Sequence, residues 1–185
     1  MPRTPDAGLE ERILDAGYRL WSSGGEEALT MRGVALAADT TTPTVYERFR
    51  DKQDLIEFLR GRARQKMLAA IRPAKSPFEA CERALDFTLK FGNEYKLITI
   101  DWAARLGRRE HLPSFLLTKE LLAKYLGGQP EHHTGLALAL VCQIHGAATL
   151  LLGEKAHRKI SNEIRRACIY ACHTLIESAR EKAVA

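Results

Sequence analysis

Residues 34–52 read Val-Ala-Leu-Ala-Ala-Asp-Thr-Thr-Thr-Pro-Thr-Val-Tyr-Glu-Arg-Phe-Arg-Asp-Lys. Met31, Val34, Ala35 and Ala38 make a short inward-facing helical stripe that stops at Asp39. Thr41 restarts a helix as its cap, Pro43 is tolerated because first-turn amides have no helical partner, and Val45 and Phe49 are one turn apart. Upstream, Thr30 caps the first of these two helices, with Leu29 placed to pack against Val34. Downstream, Asp51 caps a longer helix with the stripe Leu55, Leu59, Ala63, Met67 and Ala70, and Asp54 in its first turn complements the helix dipole. Two short helices joined by a tight turn inside a small helical packet are the pattern of a helix-turn-helix.

Working outward, Leu9, Ile13, Ala16 and Leu20 predict an earlier helix, with Gly17 and Trp21 beside them, ending at Ser22-Ser23-Gly24-Gly25. The seven prolines, at 2, 5, 43, 73, 77, 113 and 130, leave long segments free to be helical. No run alternates apolar and polar residues long enough for a strand, so the expected fold class is all-α. Arg72-Pro73-Ala74-Lys75-Ser76-Pro77 marks a boundary. The expected organisation is a helix-turn-helix domain over residues 1–50, a connecting helix over 51–72 and a second helical domain over 73–185. Within the last, helices are predicted from Phe78 through Leu89, over 95–106 with Trp102, over 113–126, over 134–153 and over 160–179.

A chain with 45% hydrophobic and 28% charged residues is neither disordered nor fibrous. The net charge of +5 permits an anionic partner but does not establish one, since residues 1–72 hold 12 Lys/Arg against 11 Asp/Glu. Cys81, Cys142, Cys168 and Cys172 sit in apolar helical patterns without zinc-finger spacing, which fits a reducing compartment. The apolar stretch 134–153 approaches membrane-spanning length, but Gln143 and His145 interrupt it and no leader-like segment precedes it. It is read as a buried helix of a cytoplasmic protein.

The segment 34–55, together with Arg12 to Ala16, Leu20-Trp21, Gly25 and Thr30 upstream, resembles the DNA-binding region of the tetracycline-repressor-type (TetR) family. The resemblance covers about the first third of the chain. Asp39 stands where the family usually has glycine in the turn, Thr40 where it usually has valine, and Trp21 where phenylalanine is commoner. Aspartate tolerates a left-handed backbone better than most residues, and threonine keeps the branched shape of valine.

Read physically, Thr42, Pro43 and Thr44, behind their cap Thr41, stand at the end of a recognition helix that enters the major groove. They suit thymine methyls or a single hydroxyl bond but lack bidentate reach, so Arg32, Arg48 and Arg50 are the candidates for added base contacts. The resemblance implies that Thr30, Tyr46 and Lys52 hold the phosphate backbone, with Arg48 and Arg50 close enough to join. The bland alternatives are a core aromatic for Tyr46 and solvated cations for Lys52 and Arg50.

For the second domain the resemblance implies effector binding and dimerisation. Phe87, Phe91, Tyr95, Trp102, His111 and Phe115, with Cys142 and His145, are the candidate effector-lining residues, against plain core packing for each. Helices over 134–153 and 160–179 are too apolar for a monomer surface. The second carries Ile160, Ile164, Ala167, Ala171 and Leu175 on one face and Ile169, Cys172 and Ile176 on another, while Gly146, Ala147 and Ala148 permit close helix approach. A homodimer through these last two helices follows, and it matches two recognition helices to two half-sites.

Glu131-His132-His133, Cys142 with His145, and Cys168 with Cys172 and His173 lack enough ligands at defined spacing for a metal site. No cofactor and no metal are expected. Without a phosphate-binding glycine loop, a nucleophile elbow or paired carboxylates, no catalytic residue is assigned and enzymatic activity is not expected. The expectation is a cytoplasmic transcriptional regulator, a repressor released from a palindromic double-stranded DNA operator by a small-molecule effector. The alternatives are a constitutive or architectural DNA binder without effector, and a thiol or metal sensor.

Overall fold

The computed structural model describes residues 8–100, 102–108, 112–153 and 158–184. Among them every regular element is helical: α1 (Leu9–Ala28), α2 (Met31–Ala37), α3 (Thr42–Arg48), α4 (Lys52–Ile71), α5 (Pro77–Lys90), α6 (Gly92–Thr99), α7 (Trp102–Gly107), α8 (Pro113–Leu126), a 3-10 turn (Pro130–His133), α9 (Thr134–Leu152) and α10 (Arg158–Val184). The chain forms two compact units, one of residues 1–63 and 93–102, the other of residues 64–92 and 103–185. The first unit thus differs from the expected 1–50 plus a linker, because it takes in the start of α4 and nearly all of α6.

Its core is built from Ile13, Ala16, Leu29, Val34, Val45, Phe49, Leu55, Leu59 and Ala63, all buried. Each of the large apolar side chains contributes about 1.5–3 kcal/mol by leaving water. Gly17 permits close packing of α1 on α4, since a Cβ there would lie 3.3 Å from Leu59 Cδ1. The α1 helix runs past the expected stop at 22–25, but Gly25 breaks it with φ 67° before a last turn to Ala28.

Why residues 93–102 join this unit is visible in a polar clasp. The buried Trp21 indole N–H donates to the Asn93 carbonyl at 2.7 Å, and Asn93 Nδ2 donates to the Ser22 carbonyl at 3.0 Å. Ser22 Oγ donates to Glu94 Oε1 at 3.1 Å, while the buried Arg60 donates through Nε to the Leu97 carbonyl at 3.2 Å and pairs with Glu57. Burial, reinforced by the Glu94 carboxylate and partly offset by Arg62, pushes the Tyr18 hydroxyl up to about 12.

The single helix expected over 95–106 is two helices, α6 and α7. At the end of α6 the Thr99 hydroxyl donates back to the carbonyls of Tyr95 at 3.1 Å and Lys96 at 3.0 Å.

In the second unit α5, α8, α9 and α10 pack together around Leu85, Phe87, Leu122, Leu140, Cys172 and Ile176. Ser76 caps α5 by accepting from the Glu79 amide at 3.2 Å, and Glu79 accepts from the Lys75 amide at 2.9 Å. The expected α4 stripe changes here: Leu68 and Ile71 are buried, whereas Met67 and Ala70 are half-exposed. On α10 the inward line is Cys168, Cys172 and Ile176, with Ile160 and Ala167 exposed.

The apolar stretch read as a buried helix is not buried in this chain. The most apolar 18-residue window within Pro130–Leu152 has a mean hydropathy of 1.8, yet only 28% of that window is buried. The second unit covers one face, through Ala137, Leu140, Ile144, Ala147 and Ala148, and leaves Cys142, His145, Gly146 and Leu150 exposed.

Candidate nucleic-acid interface

One residue makes the corner between α2 and α3. Asp39 has φ 53°, a left-handed conformation that costs most L-residues about 1–2 kcal/mol and is best tolerated by glycine, asparagine and aspartate. The reversal lets the Thr40 amide donate to the Ala35 carbonyl at 2.9 Å. The aspartate therefore serves the turn where glycine would otherwise be needed.

Three side-chain caps then fix the helix starts. Thr30 Oγ1 accepts from the Gly33 amide at 3.0 Å, Thr41 Oγ1 from the Thr44 amide at 3.3 Å, and Asp51 Oδ1 from the Asp54 amide at 2.8 Å. Asp54 Oδ2 in turn accepts from the Arg50 amide at 3.1 Å. The Asp54 amide, with help from Arg50, holds the Asp51 carboxyl below its ordinary value. Each cap stabilises its helix by about 1 kcal/mol and sets the direction in which the helix leaves its turn.

With its ends fixed, α3 buries Val45 and Phe49, and Phe49 meets the Phe58 ring edge-on at 5.3 Å. Thr42 and Thr44 are half-exposed, while Pro43, Tyr46, Glu47 and Arg48 face solvent. Tyr46 is 51% exposed, which removes the core-aromatic alternative for the free chain. Among the described residues, no hydrogen bond or ion pair engages the side chains of Arg32, Thr42, Tyr46, Glu47 or Arg48. This is a surface of unspent donors and acceptors on a rigidly capped helix.

The remaining expected contacts are already engaged. Thr41 and Thr44 share a hydroxyl–hydroxyl bond of 2.8 Å. Arg50 is highly exposed and lies 3.4 Å from Asp51. Lys52 donates through Nζ to the Glu26 carbonyl at 3.0 Å and lies 3.8 Å from the Glu26 carboxylate, so it is not simply a solvated cation. Four cations against three carboxylates over residues 30–52 make the region only slightly basic. Such a balance points to recognition by fit and base contact more than by bulk charge.

Phe87 and Phe115 are buried in the second unit, and Phe91 lies 5.2 Å from Phe87 with Lys66 Nζ 3.6 Å above its ring. Tyr95 and Trp102 belong to the first unit, His111 lies outside the described residues, and Cys142 and His145 are exposed on α9. A groove of about 590 Å³ between α5 and α10 is lined by Glu82, Asp86, Asn162, Arg165, Arg166, Ile169 and Tyr170, none of them among the eight candidate effector residues. The facing acidic pair at i, i+4 and the Arg165-Arg166 pair were legible as charges, but not as neighbours.

Sensor chemistry at the buried thiols is unfavourable. The Cys172 hydrogen bond and burial push the Cys168 thiol far up. The Cys168 bond lowers Cys172, but its bond to Cys81 and burial prevail and push it up to about 12. Thiols so little ionised near neutral pH react slowly with oxidants. Glu131 pairs with Lys119 at 3.4 Å, and the His133 ring bonds the Gly127 carbonyl at 2.7 Å, so these groups serve the turn before α9.

Residues 13–59 match the family described as bacterial regulatory proteins, tetR family. Among solved structures, a TetR-family transcriptional regulator from Streptomyces coelicolor is 24% identical, with a TM-score of 0.62 over 92% of this chain and 99% of that one. A TetR variant from Acinetobacter baumannii AYE in complex with minocycline is 17% identical, with a TM-score of 0.67 over 97% and 99%. The multidrug binding protein EbrR complexed with ethidium is 21% identical, with a TM-score of 0.59 over 92% and 99%. A comparison with curated proteins gives no significant match. The capped helix-turn-helix thus lies within the segment, residues 13–59, that matches the tetR family model, and the chain shares its all-helical fold with these solved structures.

Proposed function

We propose that the protein is a homodimeric repressor that grips a short inverted repeat through residues 30–52 and releases it when a partly apolar small molecule occupies the second unit. The observation that carries this reading is the outward face of α3, held by caps on it and on both its neighbours, where Thr42, Tyr46, Glu47 and Arg48 have no side-chain partner among the described residues. Arg32, Thr42, Pro43 and Thr44 would meet base edges, while Thr30, Tyr46, Arg48, Arg50 and Lys52 would hold phosphates.

Dimerisation is supported by α9 and α10, whose outer faces expose Leu150 at 62% and Tyr170 at 74%. Gly146 has open space where a Cβ would stand, which suits close approach by a second helix. A two-fold dimer presents two copies of α3 to two half-sites. The minocycline and ethidium complexes of the similar structures support a small-molecule effector. The chain crosses between its units at 63/64, 92/93 and 102/103, so α4 and the α6 segment are the levers for release. Release further requires the effector to prefer one conformation, because equal affinity for both shifts nothing. The groove between α5 and α10, lined by none of the eight effector candidates, favours, as second reading, a constitutive binder without effector.

Selection of bound sequences from a random DNA pool, with the purified full chain at near-physiological salt, tests the proposal. An enriched inverted repeat supports it. Binding that only decays with salt, without enrichment, contradicts it.

A further inference from the structure

The outward face of α3 has a geometric centre, and it is not the threonine cluster at the helix start. Val45 is fully buried. At about 100° per residue, Glu47 lies roughly 200° ahead of Val45 and Pro43 roughly 200° behind it. Both therefore straddle the line opposite the buried side chain, one turn apart, and both are exposed. Thr44 and Tyr46 stand about 100° to either side of Val45, nearer the flanks. When a helix lies in the major groove, side chains at its N-terminal end and on the line opposite its packed face reach the base edges, whereas flanking side chains beyond the first turn meet the phosphate walls.

We infer that Glu47 reads a base: its carboxylate accepts a hydrogen bond from an exocyclic amino group, that of cytosine, and fixes the preferred base at one position of each half-site. This deepens the DNA-binding reading of α3 and rests on it. An ionised carboxylate only accepts. In the major groove the amino donors are cytosine N4 and adenine N6, whereas guanine and thymine turn acceptors outward. Adenine carries the N7 acceptor beside its amino group, which repels the second carboxylate oxygen, so cytosine is the better partner.

Charge balance makes the same point. A carboxylate carried between two rows of phosphates is repelled unless an amino group receives it. No cation pairs with Glu47 among the described residues, so the protein itself does not neutralise it. Sequences lacking the amino group at this position are therefore penalised twice, by a lost hydrogen bond and by an unrelieved negative charge. Pro43, on the same line, offers apolar surface that suits a thymine methyl at a neighbouring pair.

The test is selection from a random DNA pool at one fixed salt concentration with the full-length wild type, Glu47→Gln and Glu47→Ala. Glu47 is exposed, so neither substitution disturbs the core. The wild type should enrich a repeat with cytosine at one position per half-site, preferred about tenfold or more. Glu47→Gln should move that position toward adenine, whose two edge groups match a side-chain amide, and Glu47→Ala should relax it, with the rest of the repeat unchanged. A repeat with the same preference at every position in all three proteins, bound more tightly by the variants, would overturn the assignment and mark Glu47 as facing phosphates. Absence of any enriched repeat with the wild type would overturn the DNA-reading role of α3 and this inference with it.

Discussion

Replacing Lys52 by methionine separates the internal partners of its ammonium, the carbonyl and the carboxylate of Glu26, from its proposed contact with DNA phosphate. The internal bond is the 3.0 Å donation to the Glu26 carbonyl, made by a side chain that is 39% exposed. Losing it should cost about 0.5–1 kcal/mol of stability, a modest change in a urea midpoint. The external role is larger. A two-fold dimer carries two copies, so the variant loses two phosphate contacts and the slope of log Kobs against log salt should fall by about 1.8. Between 50 and 200 mM salt the affinity gap between wild type and variant should therefore shrink about tenfold. Anisotropy titrations of labelled operator across that range read this directly, with Lys52→Arg as the charge-retaining control. A gap that stays constant with salt would place Lys52 in the fold alone, and a gap confined to one base substitution in the DNA would make it a base reader.

Four further outcomes are expected. Trp21→Phe removes the donor to the Asn93 carbonyl and should destabilise the chain by about 1–3 kcal/mol in urea unfolding, and a loss well under that range would mean the clasp is unimportant. At Asp39, valine should cost about 1–2 kcal/mol by the same assay while glycine is neutral or stabilising, since only the former resists φ 53°; equal effects would contradict the left-handed turn. Asp51 and Glu79 have carboxyls held below their ordinary values of 3.8 and 4.5, so their contribution is present above those values and lost as pH falls through the lower folded values. Asp51→Asn and Glu79→Gln should accordingly flatten the acid limb of stability against pH, with no change in shape above pH 6. Leu150→Arg on the exposed face of α9 should shift sedimentation toward the monomer and weaken operator binding in step, and an unchanged dimer would move the interface elsewhere.

The helix-turn-helix was legible because its rules are local. Thr30, Thr41 and Asp51 bond amides three residues away, and Asp39 adopts its conformation from its own side-chain chemistry. What lay beyond reach was not local. Trp21 finds Asn93 across 72 positions, so nothing near either residue announces that α6 belongs with the first unit. The reading of the 134–152 stretch as buried failed because a helix apolar on every side does not say which side its own chain covers. For the same reason Cys142 and His145, read as cavity residues, stand on the outer face. Glu47 carries no motif signal of its own, although the helical wheel centred on Val45 places it opposite the core.

The central claim is that two copies of α3 enter two major-groove segments of one DNA repeat. Hydroxyl-radical footprinting of the full-length protein on its enriched repeat tests this most directly. The account predicts two protected stretches on one face of the duplex, about one helical turn or a multiple of it apart, appearing together as protein is added. A single protected stretch, or continuous protection that spreads along the DNA with concentration, would contradict it.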